Sequence, residues 1–255
     1  MQSLIRPVIA VLVLLAVWQG VAWSGVAPAD YFPAPRVVAA AAADQLASGE
    51  IIRATAHTFG RAVAGLVPAI GLGFALAILA TRYPLLGRAF APLADLFRSL
   101  PPAAITPISI FFLGLGWKLY AFILIFACVW PVYLNTHAAL NAVANQQLAS
   151  ARVFGYEGWT AMLRVQLPAA LPDAFIGIRT ASGIALIAAI VAEMLAGRDG
   201  LGFLMSDAAF SLRIPDTFVG LGAAMACGLA MNGLVIAARR LLIGWHETMT
   251  LGNRS

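Results

Sequence analysis

Six apolar runs, separated by short clusters of charge, glycine and proline, dominate the chain: 7–29, 62–80, 90–115, 119–140, 175–195 and 217–238. A bilayer core about 30 Å thick needs about 20 apolar residues in helical form. The pattern therefore predicts an all-α, polytopic membrane protein with six transmembrane helices. In the first run, Ala27-Pro28-Ala29 would also serve as a signal-peptide cleavage site. The apolar core 8–23 is long for that role, and Trp18 and Trp23 suit an interface anchor, so a retained first helix is expected. Between the first two runs, Tyr31 to Pro35 leads into an alanine-rich helix that ends near Ser48-Gly49. Its surroundings (Arg36, Asp44, Glu50, Arg53) place it outside the hydrocarbon.

The longest polar interruption in the second half is 149–172, ASARVFGYEGWTAMLRVQLPAALP. Two short helical patterns, 147–154 and 159–166, flank Gly155-Tyr156-Glu157-Gly158, where the two glycines permit a sharp turn. Leu167-Pro168 and Leu171-Pro172 are expected to close the segment, because proline disfavours helix in the residue before it. The result is a helical hairpin at the membrane face, offering Phe154, Trp159, Met162 and Leu163 to a partner or to lipid.

The third run is the least regular. Pro101, Pro102 and Pro107 interrupt its hydrogen-bond ladder, and Asp95 and Arg98 stand three apart on one helix face, where they can pair. Irregular backbone at membrane depth survives only when buried in protein or lining a water-filled cavity. This run is expected to face a pathway, with a kinked packing helix as the alternative. A basic loop is expected over 81–88 and a second loop over 198–215, with a short tail from Trp245.

Composition sharpens the membrane reading. Of 255 residues 62% are hydrophobic and 11% charged, with mean hydropathy +0.89; soluble domains carry about 25% charged residues. The net charge of +5 comes from 15 arginines and a single lysine, Lys118. With six spans, Arg6, Arg82, Arg88, Arg152, Arg164, Arg239, Arg240 and Arg254 share a side with both termini. Arg36, Arg53, Lys118, Arg198 and Arg213 take the other. That bias puts the termini and the hairpin in the cytoplasm, and no nucleic-acid role is needed to explain the charge.

Several chemistries are excluded. A P-loop needs a lysine followed by Ser or Thr, and Lys118 precedes Leu119. ATP and its Mg ion, if used, bind another polypeptide, so this chain is not itself an enzyme and holds no cofactor. His57, His137 and His246 are scattered, Ser182-Gly183 lacks the glycine of a nucleophile elbow, and Cys128 and Cys227 lie within apolar runs as packing residues. No catalytic or metal site is expected.

Ionisable groups inside a span are costly and usually face a bundle interior or a cavity. Arg179 and Glu193 stand 14 residues apart in the fifth run, about 21 Å along a helix, so they cannot pair. Arg179, with Asp95 and Arg98, is read as a structural charge. Glu193 either touches solute or a docked receptor, or makes a structural hydrogen bond to a neighbouring helix. Candidate path or gate residues are Pro101, Pro102, Ser109, Phe112, Asn135, Ser182, Glu193 and Met194.

The spacing of Gly155, Val165, Leu167 and Pro168 resembles the cytoplasmic EAA loop of binding-protein-dependent ABC importer permeases. PDAFIGIRTASGIALIAAIVAEMLAG, with Gly177, Arg179 and Glu193-Met194, is similar to the same family. RSLPPAAITPISIFFLGLG and the upstream FPAP…SGEI resemble its nitrate/sulfonate/taurine branch. Where the family often has Glu-Ala-Ala, this chain has Ala149-Ser150-Ala151. The resemblance implies one permease domain over 1–255 (core 57–243, coupling loop 145–172) in the bacterial inner membrane. It implies a homodimer, two ABC ATPase subunits docked on the coupling loop, and a periplasmic or lipid-anchored solute-binding protein. Ala151, Phe154, Gly155, Tyr156, Glu157, Gly158, Trp159, Leu167 and Pro168 would form the ATPase contact. The rival classes are an ion-coupled secondary transporter, for which the chain has few intramembrane acids, and a non-transporting membrane scaffold.

Overall fold

The computed structural model describes residues 2–26, 28 and 30–252, with side chains described over 9–10, 12–26, 28 and 30–243. Ala27 and Ala29 of the candidate cleavage site, and Arg254, lie outside the described residues, as does the side chain of Arg6. Every regular element among the described residues is helical. In chain order they are α1 (Gln2–Ser24), α2 (Pro35–Ala47), α3 (Glu50–Arg82), α4 (Pro84–Arg98), α5 (Pro102–Leu113), α6 (Trp117–Ala142), α7 (Asn145–Val153) and α8 (Gly158–Ala161). A π-turn (Met162–Gln166), α9 (Leu167–Ala196), α10 (Leu201–Phe210) and α11 (Ile214–Gly252) complete the chain.

Helices α3, α6 and α9 form the centre, packed along their lengths. Their contact surfaces are built from small residues, which let membrane helices approach closely. A Cβ built at Gly73 would meet Val132 Cγ1 at 2.6 Å, and one at Gly177 would meet Asn135 Cβ at 2.7 Å and the Pro131 carbonyl at 2.9 Å. Gly65 sits against Leu124 in the same way. Ala181, Ala185, Ala188, Ala189 and Ala192 carry the α9 side of this core, against Leu119, Ile123 and Cys128 of α6. Helix α1 is held at its far end by Trp18, which donates from Nε1 to the Pro33 carbonyl (3.1 Å) and stacks on Phe218 of α11.

Among the described residues, four helical stretches are long and apolar enough to cross a membrane: Glu50–Arg82, Trp117–Ala142, Gly158–Ala196 and Ile214–Ile243. The expected third span is two helices, α4 and α5, bent by 98° at Ser99-Leu100-Pro101. Pro101 and Pro102 make that break, while Pro107 lies inside α5.

Four expectations are corrected. Leu167-Pro168 and Leu171-Pro172 do not close the hairpin, because helix runs unbroken from Gly158 to Ala196. The π-turn ends two residues before Pro168, where the wider i→i+5 pattern accommodates a residue without N–H. The basic loop over 81–88 shrinks to Tyr83, since Pro84 starts α4, as a proline in the first turn can. The loop over 198–215 contains α10. Beyond Trp245 the chain continues as helix after a kink at Ile243.

Candidate functional site

The hairpin is a compact unit with an apolar tip. Helix α7 ends in a Schellman motif. Gly155 adopts φ +80°, its N–H bonds the Arg152 carbonyl (2.9 Å), and Tyr156 N–H bonds the Ala151 carbonyl (2.9 Å). Gly158, at φ +56°, then opens α8. Both glycines occupy left-handed backbone that other residues enter at a cost of about 1–2 kcal/mol.

Ala151 and Met162 anchor the hairpin inward. Met162 packs with Ala77, Ala80, Tyr133 and Leu140, and Gln166 Nε2 donates to the Leu140 carbonyl (2.9 Å). Trp159 meets Tyr83 edge-on at 6.5 Å. The hairpin is thus braced against the ends of α3 and α6. Its outer surface carries Val153, Phe154 (79% exposed), Trp159 and Leu163, with Glu157 also exposed and Tyr156 half-buried. Leu167 and Pro168 sit at the start of α9, half-buried, away from that tip.

At the opposite end of the bundle lies a cluster centred on Glu193. The Glu193 side chain is 0% exposed. Its Oε1 accepts from Arg61 Nη1 (2.7 Å), and its Oε2 accepts from the Thr58 hydroxyl (2.7 Å) and the Gly202 N–H (3.0 Å). Thr58 Oγ1 in turn accepts from Leu201 N–H (2.8 Å). Two of the free N–H groups at the start of α10 are thereby satisfied, and a carboxylate at a helix N-terminus is electrostatically favourable. Arg61 also pairs with Asp199 and lies 4.3 Å from the Tyr120 ring centroid. His57 Nδ1 is 3.4 Å from Asp199 Oδ2. A side chain at Gly200 (φ +94°) would collide with the Glu193 carboxylate.

The third place is the α4–α5 elbow, where a cavity of about 440 Å³ opens between the break, α6 and α9. Pro101, Pro102 and Asn135 meet there, together with Arg98. Arg98 Nε donates to Asp95 Oδ1 (2.9 Å).

The other expected path residues fall elsewhere. Ser109 is buried and donates to the Ile105 carbonyl, Phe112 is exposed on α5, Ser182 donates back to the Arg179 carbonyl, and Met194 is exposed beside the Glu193 cluster. Arg179 donates from Nε to Asn232 Oδ1 (3.2 Å) across to α11. Sequence reasoning missed Arg61, Thr58, Asp199 and Tyr120. Arg61 marks the edge of an uncharged run, so it read as a boundary; its position 132 residues from Glu193 carries no local signal.

A family profile described as "Binding-protein-dependent transport system inner membrane component" matches residues 69–245. Among similar proteins are the aliphatic sulfonates transport permease protein SsuC of Bacillus subtilis, 28% identical over 92% of this chain and 86% of that one. The riboflavin transport system permease protein RibX of Chloroflexus aurantiacus is 30% identical over 94% and 90%. The nitrate import permease protein NrtB of Synechocystis is 27% identical over 94% and 90%.

Proposed function

The chain belongs to the family of binding-protein-dependent transport system inner membrane components, a multi-pass membrane permease, and from that premise we propose the following working cycle. The chain is the membrane subunit of an ABC importer, a homodimer of six-span protomers with both termini in the cytoplasm. A periplasmic or lipid-anchored binding protein delivers a small solute to the outer face. Two ATPase subunits, which carry ATP and Mg, dock on the hairpin within 145–172.

The observation that carries this reading is the hairpin itself. A capped turn at Gly155 presents Val153 and Phe154 outward, while Met162 and Gln166 tie its other arm to the ends of α3 and α6. A partner that seats on Phe154 and Trp159 can therefore push on those helices with little slack. Ala151, Phe154, Gly155, Tyr156, Glu157, Gly158 and Trp159 form the contact, with Leu167 and Pro168 leading force into α9. The chain supplies coupling and a path, and no covalent chemistry. Relatives named for sulfonate, nitrate and riboflavin transport favour a sulfonate- or nitrate-like solute or a cofactor precursor.

The test is Gly155→Leu in the assembled complex. Insertion into the membrane is expected to be intact, with ATP hydrolysis continuing while uptake of the receptor's solute falls at least about tenfold, a loss near 1.4 kcal/mol of coupling. Normal uptake would remove the hairpin from the mechanism. Uptake that survives ATP depletion but stops with a proton uncoupler would instead identify a secondary transporter.

A further inference from the structure

We propose that the cavity at the α4–α5 elbow is a transit station for one small oxyanion, bound by the free end of the Arg98 guanidinium and held loosely because Asp95 half-neutralises it. The proposal rests on the transport reading above and names the solute chemistry that this path admits.

The cavity lies level with the middle of α6, a helix long and apolar enough to cross a membrane. Its α6 wall contains Ala127, Pro131 and Asn135. Pro131 stands about 21 Å from one end of Trp117–Ala142 and about 17 Å from the other, at 1.5 Å per residue. A pair of charged side chains at this depth, Arg98 55% and Asp95 65% exposed, cannot face hydrocarbon without heavy cost. Such groups mark solute or ion pathways when they face a water-filled cavity. Here Arg98 borders a cavity in whose otherwise mainly apolar wall Asn135, Thr180 and Ser99 supply polar groups.

The hydrogen bonding defines what fits. Arg98 uses only Nε on Asp95 Oδ1, so Nη1 and Nη2 have no protein acceptor among the described residues. That free edge is a planar two-donor fork, the geometry that matches two oxygens of a carboxylate, sulfonate or nitrate. The volume of about 440 Å³ lies within the range of small-molecule sites. Asp95 supplies the opposite requirement. A path must bind its cargo strongly enough to admit it and weakly enough to release it, and a fixed carboxylate beside the arginine lowers the affinity for any anion.

The contrast with Arg61 strengthens the assignment. Arg61 spends its guanidinium on Glu193, Asp199 and the Tyr120 face, which leaves little for a ligand. Arg179 likewise uses only Nε, on Asn232; Arg98 is a mid-depth arginine whose unspent edge opens on a cavity.

The experiment places a single reactive cysteine in the cavity, Thr180→Cys, in the full chain assembled with its partners in membrane vesicles. Cys128 and Cys227 are buried, and the unsubstituted chain serves as the control. Anionic (sulfonatoethyl) and cationic (trimethylammonioethyl) methanethiosulfonates are compared, corrected for their rates with free thiol. The anionic reagent is expected to react faster, and Arg98→Gln to lower the anionic-to-cationic ratio about 25-fold, about fivefold for each reagent in opposite directions, the scale of one unit charge a few ångströms away in a wet cavity. Millimolar methanesulfonate is expected to slow labelling in the parent, and less so in Arg98→Lys, which keeps the charge and loses the fork. Asp95→Asn is expected to raise the ratio.

No labelling by either reagent would overturn the proposal, because the cavity would then be dry or covered. A cationic preference, or an anionic preference unchanged in Arg98→Gln, would overturn it too. Failure of the importer reading gives a different pattern: anion-selective labelling that depends on Arg98, with uptake indifferent to ATP.

Discussion

Two arginine–carboxylate pairs sit on opposite terms with their surroundings. Arg61–Glu193 is closed: the carboxylate is wholly buried, both its oxygens are used, and its partners come from α3 and the start of α10. Asp95–Arg98 is open: both side chains are half or more exposed, one hydrogen bond joins them, and the rest of the guanidinium faces a cavity. The residue chemistry is the same in both. What differs is the number of separate chain segments each pair joins, and so what its loss would cost. A pair that ties segments 132 residues apart is a clasp, while a pair within one helix turn leaves its charges available.

The sharpest way to break this comparison is Arg61→Met. Removing one partner leaves a buried, uncompensated carboxylate, a change that typically costs about 3–5 kcal/mol. The detergent-solubilised protein is expected to show its largest fall in thermal unfolding midpoint here, and the double variant Arg61→Met/Glu193→Gln is expected to recover much of it. An unchanged midpoint in Arg61→Met would mean that the clasp holds nothing.

Gly200→Ala comes next, since its methyl would both enter the Glu193 carboxylate and adopt φ +94°. A loss of about 1–3 kcal/mol is expected from the backbone strain alone, read as the same midpoint shift. Glu193→Ala, also a clasp variant, is expected to reduce uptake while the ATPase subunits still co-purify. Their release would extend the clasp's influence to the far end of the bundle.

The smallest stability effect is expected on the open side. Arg98→Gln and Asp95→Asn should each move the unfolding midpoint by an amount corresponding to less than about 1 kcal/mol, the usual worth of an exposed pair. A shift as large as that of Arg61→Met would make the elbow pair structural, and the contrast would collapse.

The periodicity of oily runs was enough to predict helix for the whole molecule, and the break at Pro101-Pro102 was legible because proline lacks a donor and blocks helix in the residue before it. Gly155 was legible for a related reason: a turn that needs positive φ selects glycine. The same proline rule misled at Pro168. A local rule cannot foresee that a π-turn will absorb the missing bond, or that α6 on one side will keep α9 helical through the segment. Helix α10 was hidden because its ten residues are too few to stand out from a loop by pattern.

The amino-acid order alone determined the medium, the helical class and the positions of the sharp turns, because each depends on residues within about one or two turns of one another. Only the tertiary structure decided which charges are spent and which are free. Glu193 has no acceptable place in a membrane until Arg61 and Thr58 of α3 and the N-terminus of α10 converge on it from two separate segments. Among the described residues, no acceptor from another segment meets the free edge of Arg98. Desolvation is a property of the packed neighbourhood, and a linear pattern carries no record of neighbours more than a hundred residues away.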